Sequence, residues 1–221
     1  MKLHLFVGPT AFGLEQAIEA LPDVLVHPPV KRGDIDRLVS SSTTSGNIAI
    51  VDGTFHSFPS VGHIEIRKAM KVGWRVWGLS SMGAIRASEM RHMGVNGYGT
   101  VYEHYSSDPE FDDDEVTLLH EDGAPFRALS EPLIHIRGFV ADLVAKKRIS
   151  ETSAHEIIKI LKERWYAERT LQNLKQLLID IGNMSADEVH TALYNFKDYR
   201  VKSIDLVNFL ASRCWHSHPR Y

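Results

Sequence analysis

Short apolar runs alternate with amphipathic stretches through the first ninety residues. Leu3 to Val7 is an apolar run that stops at Gly8-Pro9-Thr10, and Val24-Leu25-Val26 is a second, closed by His27-Pro28-Pro29. Asn47 to Val51 is a third, with Asp52-Gly53 at its tip, and Arg75 to Leu79 is a fourth. Runs this short, bounded by turn residues, predict buried strands. Between them, Leu14–Leu21, Asp34–Ser40, Val61–Val72 and Gly83–Met93 carry helical spacing, with Pro22 and Gly73 as stops.

Strand and helix in regular alternation predict an α/β fold with a parallel, doubly wound sheet. Right-handed crossovers then bring all strand C-termini to one edge, where such sheets bind ligands near a switch point. Three loops converge on that edge: Gly8-Pro9-Thr10, Asp52 to His56, and Ser80-Ser81-Met82-Gly83.

The pattern changes in the middle. Gly94, Gly97 and Gly99 punctuate a loop, and Asp112-Asp113-Asp114-Glu115 reads as a solvated turn or helix N-terminus, with a carboxylate metal site as the lesser alternative, before a short strand, Val116 to His120. From Pro132 the spacing is helical. Ser130 is a cap before Pro132, and Ser150–Ser153 opens a helix with Glu156 placed for a capping box. Ile157, Ile158, Leu161 and Trp165 form one apolar stripe; Leu171, Leu174, Leu177 and Leu178 form another. Ser185 and Ser203 mark further helix starts. The expected organisation is an α/β core over 1–130 and a C-terminal helical subdomain over 131–221.

Composition narrows the class. The 221 residues are 43% hydrophobic and 24% charged, ordinary for a globular protein. A net charge of -3 gives no global field for nucleic acid, and no apolar run reaches membrane-spanning length. The single cysteine, Cys214, excludes an internal disulfide and suits a reducing cytoplasm.

Leu79-Ser80-Ser81-Met82-Gly83 is close to a nucleophile elbow whose first glycine, Gly78, sits one residue early. In that geometry Ser81 is the nucleophile, and the amides of Met82 and Gly83 at the helix start face an incoming anion. The same residues serve equally well as a helix cap and a packing glycine. A serine nucleophile needs a base. His56 and His63 are the candidates, with Asp52 on the same loop as His56. His63 and Glu65 stand two apart on a helix, so they cannot both face one site. The His56–His63 spacing matches no metal motif, and Gly8–Gly13 lacks the phosphate-loop Lys-Ser/Thr, so neither metal nor cofactor is expected.

Gly8-Pro9-Thr10, Pro28-Pro29, Arg32-Gly33-Asp34, Asp52-Gly53, His63, Glu65-Ile66 and above all Ser80-Ser81-Met82-Gly83-Ala84-x-Arg86-Ala87-x-Glu89 resemble the TfuA-like family. So do Asp113-Asp114-Glu115-Val116, His120 and Ser130-Glu131-Pro132, and the likeness runs from about residue 3 to 137. The resemblance implies a partner of a YcaO enzyme, which converts a peptide backbone amide to a thioamide. It implies hydrolysis of the thiocarboxylated C-terminus of a ubiquitin-like sulfur carrier, releasing sulfide beside YcaO and its target peptide. The loop reading and the resemblance together give Ser81, His56 and Asp52 as the expected catalytic residues, His56 from its loop position alone, and Gly8, Thr10, Ser80, Met82, Gly83, Arg86, His63 and Glu65 as the expected binding residues. Many family members carry Lys where this chain has Ile64, which moves the base role to His56 or His63. Two other classes stay open: a non-catalytic adaptor for YcaO and its peptide, and an enzyme acting on a nucleotide-like anion through Arg86. Self-association is also left open.

Overall fold

The computed structural model describes residues 2–54 and 58–216. Five strands form one all-parallel sheet: β1 (Leu3–Phe6), β2 (Val24–His27), β3 (Asn47–Ile50), β4 (Arg75–Leu79) and β5 (Asn96–Tyr98), in the order β2-β1-β3-β4-β5. Helices α1 (Glu15–Glu19), α2 (Asp34–Ser41), α3 (His63–Lys71), α4 (Met82–Met90) and α5 (Thr100–Ser107) connect or follow these strands. The order reverses between β1 and β3, so the switch point lies at the ends of those two strands.

Both faces of the central strands β1, β3 and β4 are largely buried, which explains why these strands read as continuous apolar runs. Phe6, Ile48, Ile50 and Val76 pack with Ile35, Ile66, Ala87 and Met90 on one side. Leu3, Leu5, Ala49, Val51 and Leu79 pack on the other with Ile18, Leu206, Phe209, Leu210 and Trp215. The α/β architecture expected from the pattern is the one observed.

Several elements depart from the expectation. The glycine-punctuated stretch contains β5 and leads into α5. Gly97 stands opposite Gly78 in register, and a Cβ built on it would lie 2.1 Å from the Tyr102 ring. Glycine is there for close packing, so the strand carries no apolar signal. Val116–His120 forms no strand; only an isolated bridge joins His120 to Ala128. Ser130 does not cap a helix, since its hydroxyl accepts from the Leu119 amide at 2.8 Å. Ser150, rather than Ser153, caps the helix that follows it.

The chain forms two compact units, with limits that differ from 1–130 and 131–221. The first holds the described residues through Phe111, residues 123–126, and the described residues from Lys202 to His216; the second holds 112–122 and 127–201. The second unit is helical: α6 (Leu133–Ala145), α7 (Glu151–Glu163), α8 (Leu171–Asp180) and α9 (Ala186–Tyr194) enclose Leu133, Phe139, Leu161, Leu178 and Phe196. Trp165, expected on the apolar stripe, is 61% exposed because α7 ends before it. The acidic run makes a short turn whose charges are matched: Asp114 by the buried Arg169, and Glu115 by a two-pronged contact from Arg137 at 2.9 and 2.8 Å.

The last helix, α10 (Val201–Ser212), returns to the sheet from Lys202 on. Leu206, Phe209 and Leu210 give it an apolar face that the open side of the sheet covers. Asp205 accepts from the Thr100 and Val101 amides at 2.9 and 3.0 Å and so caps α5. The final helix is therefore part of the α/β unit.

Candidate functional site at the strand ends

The turn from β4 to α4 is tight because two glycines let helix and sheet touch. A Cβ built on Gly83 would lie 1.7 Å from the Ile50 carbonyl oxygen, and one on Gly78 would lie 2.0 Å from that of Gly83. Ser80 takes the reversal at φ 63°, a left-handed conformation uncommon outside glycine. The Ser81 amide closes the reversal on the Leu79 carbonyl at 2.7 Å. Strained backbone between strand and helix is the feature a nucleophile elbow shares.

The two serines are not equivalent. Ser80 is fully buried, and its hydroxyl donates to the Lys202 carbonyl at 2.8 Å. Ser81 is 3% exposed; it holds the cap position of α4, yet its side chain makes no capping hydrogen bond. The expected pair of anion-facing amides reduces to one. The Gly83 amide donates to the Val51 carbonyl at 3.2 Å, which leaves the Met82 amide as the open donor at this helix start among the described residues. The Met82 side chain is buried in the core and reaches toward Gly53.

Asp52 is an anchor for the neighbouring loop. One oxygen accepts from the amides of Gly8 and Thr10 at 2.8 and 3.0 Å; the other accepts from the Thr10 hydroxyl at 2.7 Å. These bonds tie the end of β3 to the loop after β1 across the switch point. His56, the expected partner of Asp52, lies outside the described residues. Among the described residues, the cation beside Asp52 is Lys202, whose Nζ is 4.0 Å from the Asp52 Oδ1. Both side chains are only 2–3% exposed. The next residue, Ser203, donates its hydroxyl to the Thr10 carbonyl at 2.8 Å. The first turn of α10 thus meets the ends of β1, β3 and β4 together.

The other expected site residues gather elsewhere. Glu65 is buried and accepts from the amides of Gly62, Gly33 and Ile35 at 2.9, 2.9 and 3.3 Å, fastening the starts of α2 and α3. His63 meets Glu89 at 2.7 Å on the surface. Arg86 bridges the same Glu89 oxygen at 2.7 Å and the Val61 carbonyl at 2.9 Å. Burial alone would raise the Glu89 carboxyl; the His63 hydrogen bond and the Arg86 charge outweigh it and hold the group below its ordinary value. Arg86, His63 and Glu65 therefore brace α2, α3 and α4, and none is bonded to Ser80, Ser81 or Asp52.

Lys202 is the residue that motif reasoning missed. A signal was present: Lys202, Leu206 and Phe209 share one helical stripe, so the period places a lysine on a buried face. A buried lysine needs a partner, which the motif-bearing half of the chain supplies as Asp52. Among the described residues, no group of His, Cys, Asp and Glu could hold a metal ion, and no helix is long and apolar enough to cross a membrane.

Fold and site together define a doubly wound α/β protein whose serine, lysine and aspartate meet at the C-terminal edge of the sheet. The model of the TfuA-like protein family matches residues 52–170, more than half of the chain. The chain belongs to the TfuA-like family. No curated protein matches it.

Proposed function

We propose that this TfuA-like protein hydrolyses the thiocarboxylated C-terminus of a ubiquitin-like sulfur carrier and releases sulfide for a YcaO enzyme that thioamidates a peptide backbone. The observation that carries the reading is the meeting of the strained Ser80–Ser81 turn with the buried Asp52–Lys202 pair. Ser81 is the nucleophile. The residue after a nucleophile donates its amide to the oxyanion; after Ser81 that amide is Met82's, whereas after Ser80 it is Ser81's, already bonded to Leu79.

In this mechanism the Ser81 oxygen bonds to the thioacid carbonyl carbon and its proton leaves through Lys202. The Met82 amide holds the oxyanion, the carbon–sulfur bond breaks, and hydrosulfide departs. Water then cleaves the serine ester to give the carrier carboxylate. Asp52 touches no reacting atom; it positions Lys202 and the Gly8–Thr10 loop. The helical unit is assigned to partner contacts, because its charged groups Glu115, Arg137, Arg169 and Asp114 are paired with each other.

The test is sulfide release from purified thiocarboxylated carrier by the wild type and Ser81→Ala. The adaptor reading has one observation in its favour: the Ser80 hydroxyl is committed to Lys202 and Ser81 is nearly enclosed. An adaptor would release no sulfide from the carrier, yet would support thioamidation when free sulfide is supplied.

A further inference from the structure

Helices α2, α3 and α4 pack on one face of the sheet through Ile35, Ile66, Ala69, Ala87 and Met90, and their opposite sides meet solvent. On α3 the buried residues are Glu65, Ile66 and Ala69. Helical spacing puts the exposed Ile64, Arg67, Lys68, Lys71 and the cap residue Val72 within an arc of about 140°. The groups toward the neighbouring helices are taken: His63 meets Glu89 on α4 at 2.7 Å, and Lys68 meets Asp36 on α2 at 3.3 Å. The centre is different. Among the described residues, Arg67 and Lys71 make no ion pair or hydrogen bond. They stand four apart on one helix, a spacing at which like charges repel. Beside them Ile64 and Val72 are 65% and 60% exposed.

The acids on this side of the sheet are already used. Asp34 pairs with Arg37, Asp36 with Lys68, and Glu89 with Arg86 and His63; Glu65 is buried on backbone amides. Residues 31–41, 62–73 and 82–94 hold eight Lys and Arg against four Asp and Glu, in a chain whose net charge is -3. The positive excess is therefore local to this face and opposite in sign to the whole protein.

We propose that the outer face of α3 is a docking surface for an acidic protein partner, whose carboxylates meet Arg67 and Lys71 and whose aliphatic side chains cover Ile64 and Val72. A single exposed aliphatic residue is ordinary on any surface. Two of them flanking cations that no acid of the chain satisfies make a mixed patch, and such a patch is complemented by a surface that brings carboxylates and apolar contact together. Other occupants fit less well. Nucleic acid would satisfy the cations but leave Ile64 and Val72 uncovered, and the stripe has no aromatic side chain on which a base could stack. An anionic lipid surface would meet two aliphatic side chains, too few to insert as an amphipathic helix does. A second copy of the same face would set like charges together. The proposal stands independently of the hydrolase reading.

The probe is a fluorescein-labelled helical peptide with Glu and Leu on one face, and its binding to the full-length protein is read by anisotropy. The wild type should bind it, and Arg67→Glu/Lys71→Glu should bind ~10-fold more weakly or worse, the scale of two reversed charge contacts. Ile64→Ser/Val72→Ser should weaken binding by about 5-fold, from lost apolar burial. Lys159→Glu/Lys175→Glu makes the same change in net charge on α7 and α8 of the helical unit and should leave the affinity unchanged. Melting temperatures establish that each variant is folded. No binding by the wild type would overturn the proposal. So would an equal loss in the Lys159→Glu/Lys175→Glu protein, which would reduce the effect to net charge, or binding indifferent to Ile64→Ser/Val72→Ser. Tighter binding of a single-stranded oligonucleotide or of anionic phospholipid vesicles than of the peptide would also overturn it and assign the cations to phosphate.

Discussion

Ser80 and Lys202, separated by 122 positions in the chain, are joined by a hydrogen bond of 2.8 Å from the serine hydroxyl to the lysine carbonyl. This bond fixes the first turn of α10 to the β4–α4 reversal. It also places the Lys202 side chain over the end of β3, beside Asp52. A serine that motif reasoning assigns to ligand binding is thereby the clamp for the residue proposed to carry protons.

Ser80 combines this bond with a backbone at φ 63°. Ser80→Ala loses the bond and keeps the strain; Ser80→Gly loses the bond and relieves the strain. The glycine variant should be the more stable of the two by about 1 kcal/mol, the usual cost of a left-handed non-glycine residue. Urea unfolding of both variants measures the difference, and equal midpoints would place the strain elsewhere.

The contact of α4 with the sheet leaves no room at Gly83, where a Cβ would lie 1.7 Å from the Ile50 carbonyl. Gly83→Ala should cost about 3 kcal/mol or more, at the upper end of overpacking changes, because the obstacle is backbone. Gly13→Ala is the comparison: its φ is 83°, but nothing stands within 4 Å of the added carbon. It should cost only about 1 kcal/mol. Thermal melts of the two variants separate crowding from conformational strain.

Ser81→Ala should lower sulfide release by about 10³-fold or more with the fold intact, since the Met82 amide and substrate binding remain. Carrier affinity, measured by titration, should stay within a few-fold. Near-normal release by folded Ser81→Ala would take this serine out of the mechanism.

Asp52 and Lys202 should be energetically coupled. Asp52→Asn sets an amide nitrogen against donors that now face a carboxylate, and Lys202→Met leaves that carboxylate without its cation. Each alone should cost about 3 kcal/mol, the penalty for breaking a buried pair. The double variant should fall short of the sum by about 1 kcal/mol or more. Additive costs in denaturant titrations would show that the pair does not act as a unit.

Acid sensitivity should arise from His4 and His27, whose ring nitrogens meet at 2.9 Å on adjacent strands. Burial, then the charge of His27 and that of Lys2, hold His4 below its ordinary value. Burial lowers His27, against an opposing pull from Asp34. The unfolded chain therefore binds more protons once pH drops below about 6.5, and stability falls with pH through that window. His27→Gln should flatten the decline between about pH 7 and pH 5, in melting temperatures followed against pH. An unchanged slope would assign the acid response to other groups.

The strands β1, β3 and β4 and the starts of α2, α3 and α4 were legible in the sequence because local pattern settles local conformation. An apolar run between turn residues has few ways to be satisfied except as a buried strand. The small residues around Ser80 and Ser81 likewise marked a sharp reversal, and their chemistry marked it as a candidate site. Tertiary structure decided what each polar residue does. Glu65 became a fastener for two helix starts, Asp52 a clamp on the Gly8–Thr10 loop, and His63 a surface partner of Glu89. Lys202 became the cation of the site, and β5 formed where glycines gave no apolar signal. The reason is physical: a side chain's spacing fixes the face it occupies, but a buried polar group takes its role from whichever donor or acceptor long-range packing brings within about 3 Å.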